Sequence, residues 1–301
     1  MAMGGSAFPA PRPIDRRATI VILTHRHDDI RRGPTIAHVA YEHWEPAGHR
    51  ILVHRGTSAP PPADLAILHV ALTRVPPAYQ QHATRYPTTI NGQVSDTAKR
   101  AVCRDLVTRG DAYQGPVIIK TDLNHGGKAE ERLRWRQAGA IKRLWLGLEH
   151  RLPASWFGRL PGREYVILPS KDTVPGWVWR SPHLVVQPFY AERRGDLFAM
   201  HQWYFLGGRD CVSTFLAREP VVKLANVVER LPLHDDVPEL LRRRRAELQF
   251  DYGKFDFVMV DGKPILLDAN HTPTEGPEYP SIPRVFAICG ALAGGLQAFM
   301  S

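Results

Sequence analysis

The chain has 301 residues and only three cysteines, with no C-x-x-C pair among them. Cys103, Cys211 and Cys289 are odd in number and widely spaced, which argues against a disulfide framework and against a cysteine zinc site. A reducing cytoplasm is therefore the expected compartment. Long apolar runs are also missing. The most apolar stretch, Val285 to Met300, falls short of the ~20 residues a membrane span needs and reads as a C-terminal core helix. Residues 1–17 are rich in Gly, Ala, Pro and Arg but hold no apolar h-region, so they read as a flexible lead-in, not a signal peptide. There is no G-x-x-x-x-G-K-[ST] loop and no protein-kinase catalytic set, which excludes two common nucleotide-binding designs. Internal repeats and long low-complexity tracts are absent too. Acidic residues are in deficit: 39 Lys and Arg stand against 30 Asp and Glu, a formal charge of +9. That balance favours anionic partners without choosing between nucleic acid, nucleotide, phosphorylated substrate and membrane surface.

What remains is an ordinary globular composition, 44% hydrophobic and 23% charged, long enough for two domains. Thr19–Thr24, His49–His54 and Leu65–Val70 read as short buried strands, with a helix over Thr35–Ala47 closed by Gly48. This predicts a small N-terminal α/β domain, residues 18–94, with a parallel sheet. Tyr86–Asn91 is a connector. Ser95 then caps a predicted helix, Asp96–Arg109, ended by Gly110. Val117–Lys120 is a strand running into the glycine turn Asn124-His-Gly-Gly127, and a long basic helix follows over Ala129–Glu149. Further strands are expected at Glu164–Leu168, Leu184–Gln187 and Ala199–Leu206, the last followed by a turn at Gly207–Asp210 and later by a helix over Val237–Leu248.

The richest segment runs from Asp251 to Asn270. Phe255–Val260 and Ile265–Asn270 form a hairpin around Asp261-Gly262. Residues two apart share a strand face, so Asp268 and Asn270 point together. Asp256 joins them if Val260-Asp261-Gly262 forms a three-residue loop with a glycine bulge. A two-residue Asp-Gly turn would place Asp256 on the opposite face. Hard oxygen ligands with one amide suit Mg²⁺, and polar groups interrupting an apolar strand cost free energy unless they have partners.

Phe255–Pro273 resembles the closing motif of ATP-grasp enzymes, an acid on one strand and acid-x-Asn-x-x-Pro on the next. In that family the matching positions, here Asp256, Asp268 and Asn270, hold magnesium on ATP phosphates. Family members more often have Glu where this chain has Asp268. Three further elements fall in the family's order. Ser95–Lys99 resembles the segment of the first nucleotide-contacting lysine, Lys99. Gly115–Lys120 with Asn124–Gly127 resembles the strand of the second, Lys120, and its phosphate loop, Gly126 and Gly127. Leu184–Tyr190 resembles the hinge strand that reads adenine, carrying Gln187, Phe189 and Tyr190, with Glu192 placed for ribose. Lys223, and more weakly Arg218, match a phosphate-side basic position. Where many members have arginine in the Ala199–Leu206 strand, this chain has His201 and Gln202.

The resemblance implies a pre-ATP-grasp-like domain, then a two-subdomain ATP-grasp fold over residues 95–301. It implies ATP and Mg²⁺ as cofactors, and activation of a small-molecule or peptide carboxylate as an acylphosphate that an amine then attacks. A small-molecule kinase, or a basic nucleic-acid-binding protein with a vestigial nucleotide site, are the alternatives. No membrane partner is expected, nucleic acid is disfavoured, and a homodimer stays open. His25, His27 and Asp28, at the carboxyl end of the first strand, are weak substrate-contact candidates. Arg242–Arg245 is four consecutive residues and cannot form one helix face, so it reads as mostly solvated.

Overall fold

The computed structural model describes residues 17–300 except 29, 31–34, 150–151, 153, 158–159, 161–164 and 275–282. The predicted lead-in thus lies almost wholly outside the described residues, as does Glu164 of the expected strand Glu164–Leu168. The β-branched runs near the N-terminus pair in parallel: β1 (Thr19–Thr24), β2 (Arg50–Arg55), β3 (Leu65–His69) and a short β4 (Thr89–Ile90), in the order β2-β1-β3-β4. The inner strands β1 and β3 are apolar and buried, as parallel strands covered on both faces must be. The first helix is shorter than expected. α1 (Thr35–Val39) passes into one π-type turn, Ala40–Trp44, and Trp44 Nε1 donates to the Ala293 carbonyl at 2.8 Å. α2 (Pro77–Ala83), opened by its proline at the first position, was not expected.

The predicted helix Asp96–Arg109 reduces to α3 (Lys99–Val102). The Asp96 carboxylate, not Ser95, accepts the Ala98 N–H. Beyond Cys103 the backbone is extended, and Val107 N–H donates to the Val186 carbonyl. A tertiary hydrogen bond replaces what helix propagation would have supplied.

A three-stranded antiparallel sheet follows, from β5 (Val117–Thr121), β6 (Val166–Leu168) and β7 (Leu184–Pro188), in the order β6-β5-β7. The single long basic helix is two, α4 (Lys128–Gln137) and α5 (Ala140–Glu149), because Ala138 turns extended before Gly139. α6 (Gly176–Arg180) lies before β7. The largest sheet holds β8 (Glu192–Arg194), β9 (Leu197–Leu206), β10 (Arg209–Ala217) and β11 (Val227–Arg230). After α7 (Glu239–Glu247) it gains β12 (Tyr252–Val260) and β13 (Lys263–Asn270), giving β11-β10-β9-β12-β13 with β8 on β9. Its buried side carries an aromatic cluster, Trp203, Phe205, Phe250 and Phe255, in tilted and edge contacts. α8 (Pro283–Ala293) packs Ile288 and Leu292 into one core with Ile20 and Ile22 of the first sheet and Tyr204 and Leu206 of the largest.

α7 is mostly solvated, as expected, with Arg242 and Arg243 exposed, but its arginine run is also anchored. Arg245 donates to the carbonyls of Gly207, Phe250 and Asp251, and burial lowers its guanidinium to about 10. Arg244 donates to the Ala101 and Val102 carbonyls, and Arg242 pairs with Asp210. Only Arg243 points away, at an exposed i,i+4 pair with Glu239.

Candidate functional site

The hairpin of β12 and β13 closes on two residues. Asp261 and Gly262 have φ of 48° and 75°, and Val260 pairs with Lys263. This corrects the expected three-residue loop: Asp-Gly is the natural type I′ pair. Continued unbroken, that register would set Asp256 opposite Leu267. Instead it shifts between Asp256 and Phe257, so that Phe257 faces Leu266 while Asp256 faces Asp268. Leu267 is the extra residue of a β-bulge, and the bulge does what the turn does not. Lys254, Asp256, Asp268 and Asn270 come to one face, as Asp256↔Asp268 and Lys254↔Asn270 pairs.

That face forms one wall of a cavity lined by Lys99, Lys120, Tyr165, Asp256 and Asp268, with Phe189 and Tyr190 of the hinge at its other end. Lys99 is 4% exposed, and its Nζ reaches Asp268 Oδ1 at 3.2 Å and the Leu123 carbonyl at 3.3 Å. Burial is the largest influence on the Lys99 ammonium and would lower it, but the Asp268 carboxylate with Tyr165 and Cys103 together turn the net direction up. Lys120, 7% exposed, has no such compensation. Burial, then Lys99 beside it, pushes its ammonium down. Among the described residues no carboxylate lies within ion-pair distance of it, and it stands over the Tyr165 ring, 5.7 Å from the centroid. Lys254 Nζ lies 3.0 Å from Asp256 Oδ1, although that oxygen is buried and accepts no well-formed hydrogen bond.

The other expected residues distribute unevenly. Gln187 sits on β7 opposite Ile118 with both side-chain polar atoms buried and unbonded. Phe189 commits its N–H to the Pro116 carbonyl. Lys223 is exposed, its Nζ 5.3 Å from the Tyr165 centroid, so Tyr165 stands beside both lysines. Arg218 is exposed just after β10 and lines neither cavity described here. Glu192, expected to meet ribose, turns inward. Its carboxylate takes His201 Nε2 at 2.9 Å, Arg194 Nε at 3.1 Å and the Met259 N–H at 2.7 Å. Burial would raise that carboxyl, but these donors hold it below its ordinary value. His201 continues to Thr214 Oγ1 at 2.8 Å, so it belongs to a buried network and does not take an arginine's place at the cavity. Gly126 and Gly127 follow His125 in left-handed backbone, φ 47°, 66° and 73°, and a Cβ on Gly127 would meet Leu123 Cδ1 at 2.9 Å.

A second cavity, of about 300 Å³, lies where the carboxyl ends of β1 and β3 meet the glycine loop, α4 and the end of β13. Asp28, His69, Asn124, Glu130, Asn270 and His271 are among its lining residues. Asp268 and Asn270, on one face of β13, therefore belong to the first and second cavities respectively. Of the weak substrate candidates only Asp28 lines it, accepting the Ala71 N–H at 3.2 Å, with its carboxyl raised by burial. His25 packs on Tyr79 and His27, and the His27 carbonyl accepts from Arg136. Sequence reasoning missed Lys254, Tyr165, Asn124, Glu130 and His271. Only Lys254, two residues before Asp256 on the same strand, had a readable signal.

Among the described residues no group of three or more His, Cys, Asp and Glu is placed to hold a metal. Two facing carboxylates and a neighbouring amide nevertheless fit a hard cation that completes its shell with phosphate oxygens. The observation in favour is Asp256 Oδ1, buried and without an aligned hydrogen bond, which a cation would take over from the Lys254 ammonium 3.0 Å away. Asn270 Oδ1 already accepts the Thr272 N–H at 2.9 Å and the Thr272 hydroxyl at 3.4 Å, so it would hold a cation only by exchanging the longer, hydroxyl bond for it.

No family model and no curated protein matches the chain. Solved structures do. The ATP-grasp ligase PsnB, complexed with minimal precursor, Mg and ADP, is 14% identical with a TM-score of 0.53, over 93% of this chain and 97% of that one. PsnB with minimal precursor alone gives 0.51 at 14% identity, over 94% and 100%. A RimK domain ATP-grasp protein from Sphaerobacter thermophilus is 12% identical over 94% and 100%, with a TM-score of 0.47. The fold is the expected mixed α/β architecture of one parallel and two antiparallel sheets.

Proposed function

The chain has the ATP-grasp fold; on that premise we propose that it is an ATP-dependent carboxylate–amine ligase. One observation carries the reading: buried Lys120, with no carboxylate at ion-pair distance among the described residues, lines the first cavity together with Asp256 and Asp268. An uncompensated buried charge is costly, and a phosphate placed there would supply the missing partner. PsnB, of the same fold, has been solved with Mg and ADP, which supports the same pair here.

In this reading Lys99, Lys120 and, at the open side, Lys223 neutralise the triphosphate, with Arg218 the outlying candidate. The Gly126-Gly127 backbone admits phosphate closely, and Gln187, Phe189 and Tyr190 face the base. Glu192 meets ribose only if it first leaves His201. Asp256, Asp268 and Asn270 would hold Mg²⁺, which supplies charge neutralisation at the phosphates. The γ-phosphoryl group passes to a carboxylate oxygen of the substrate, leaving ADP. An amine nitrogen then attacks the acyl carbon, the C–O bond to phosphate breaks, and the amine's proton goes to solvent. The protein's part is positioning and charge stabilisation. As it stands the first cavity encloses about 100 Å³, less than small-molecule sites usually offer, so nucleotide entry requires Tyr165 and the three-stranded sheet to give way.

The test is calorimetric titration with a non-hydrolysable ATP analogue, with and without Mg²⁺, followed by ADP release in a screen of carboxylates and amines. Magnesium-dependent binding is expected. Its absence in the folded protein would overturn the reading.

A further inference from the structure

The second cavity holds polar atoms that the nucleotide chemistry does not use. Asn124 is 7% exposed. Its Nδ2 donates to Thr97 Oγ1 at 2.6 Å and to the Ala269 carbonyl at 3.1 Å. A carbonyl can only accept, so the amide cannot be flipped, and Asn124 Oδ1 is left buried with no partner. Glu130 uses Oε1 to accept the Thr73 N–H at 2.7 Å, while Oε2 is buried and unbonded. His271, 1% exposed, directs Nε2 at the Val70 carbonyl at 2.9 Å, which places its proton there and leaves Nδ1 buried and unbonded. Three fixed groups with open acceptor positions thus line one cavity, and His69, whose Nδ1 is buried and unbonded and can be donor or acceptor according to its tautomer, lines it as well. Buried acceptors without donors are expensive, and a native fold keeps them where a ligand satisfies them. Lys128 and Arg132, both exposed, line the same cavity. Acceptors therefore sit at the buried floor and cations at the open rim.

We infer that the second cavity is the seat of an α-amino-acid-like zwitterion, whose primary ammonium donates to Asn124 Oδ1, His271 Nδ1 and Glu130 Oε2 and whose anionic end faces Lys128 and Arg132. An ammonium has three N–H donors and no acceptor, which matches three acceptors, one of them a carboxylate. A plain carboxylic acid would leave all three unsatisfied, and discrimination of this kind, against an analogue lacking the bonding group, is the steep kind. The inference rests on the ligase reading only for which reaction the zwitterion enters. The subsite itself is independent of it.

The experiment uses the full chain and matched probe pairs: L-alanine against propionate, L-phenylalanine against 3-phenylpropionate, and L-glutamate against glutarate. Binding is followed by thermal shift and calorimetry, with and without a non-hydrolysable ATP analogue. At least one amino acid is expected to bind tenfold or more tighter than its des-amino partner. Glu130→Gln, which keeps the shape, should erase that preference while leaving affinity for the ATP analogue within twofold. Equal binding within every pair, no binding of any probe, or a Glu130→Gln protein that retains the preference would each overturn the inference. Amine preference without nucleotide binding would leave this subsite standing and remove the ligase reading instead.

Discussion

A buried lysine ammonium beside a second lysine, with no carboxylate at ion-pair distance among the described residues, is a destabilising arrangement in the empty protein. Lys120 is in that position, and both its burial and Lys99 push its proton off. Two opposite effects should follow from Lys120→Met. Removing an uncompensated buried charge should raise the thermal midpoint of the protein alone. Losing a charge-assisted bond to phosphate should weaken an ATP analogue by roughly 2 kcal/mol, about thirtyfold. Calorimetry and a melting curve on the same sample check both, and a variant that only loses stability would mark Lys120 as structural. Asp268 behaves differently. It is the partner of buried Lys99, so Asp268→Ala would strand that cation and cost stability as well as turnover. Turnover of Asp268→Ala is therefore interpretable only beside its unfolding curve. Cys103, by contrast, has its thiol pushed up to about 12 by burial and then by Asp268. It should resist iodoacetamide at pH 8 in the native protein and react on unfolding, as seen by mass spectrometry.

At the scale of elements, the hairpin shows what local sequence can and cannot specify. The alternation of Phe255, Phe257 and Met259 with Asp256, Val258 and Val260 made the first strand legible, and Asp268 with Asn270 made the polar face of the second legible. The turn was misread because the bulge at Leu267, five residues after Gly262 on the second strand, restores the register, and a dipeptide gives no sign of it. The helix expected over Asp96–Arg109 fails for a similar reason: Val107 bonds to a strand about eighty positions later. The second cavity was illegible because its lining comes from four distant segments. Close backbone approach is another such constraint. A Cβ on Gly253 of β12 would lie 2.7 Å from the Asn270 carbonyl and 2.9 Å from Phe250 Cδ1, whereas one on Gly208 would meet nothing within 4 Å. Gly253→Ala should therefore cost about 1–3 kcal/mol in urea unfolding and displace Asn270, and Gly208→Ala should be near neutral. Equal midpoints for the two would mean that β12 and β13 are free to move apart.

Across the whole molecule, the first sheet and the largest sheet meet at a pair of histidines. His69 ends β3 and His271 follows β13, and the bond from His271 Nε2 to the Val70 carbonyl crosses between them. Burial is the main cause that lowers His69 to about 3 and His271 to about 4, with the neighbouring histidine adding to the effect on His69. A folded-state value below the unfolded one near 6.5 means that the unfolded chain binds more protons. Stability from this junction is thus fully present above pH 6.5 and is lost as pH falls through 4 and 3. Each histidine contributes a slope of about 1.4 kcal/mol per pH unit inside its window, so the pair gives roughly 3. Asp28, Asp105 and Asp251, whose carboxyls burial raises, act in the opposite sense, while His25, His43, His49, His82, His125 and His234, lowered by burial, act in the same sense, so the junction's share is read as the difference between the wild type and His69→Leu from pH 6.5 to 5. Urea unfolding across that range should show falling midpoints. His69→Leu, which removes one titrating ring and its buried, unbonded Nδ1, should be more stable than the wild type at pH 5 and should lose about half of the pair's slope. Because the same junction floors the second cavity, an amino acid seated there should raise the midpoint more at pH 7 than at pH 5, where proton uptake competes for the same assembled state. A midpoint that stays flat from pH 6.5 to 5, with His69→Leu tracking the wild type, would show that the junction opens to water and is not what couples the two sheets.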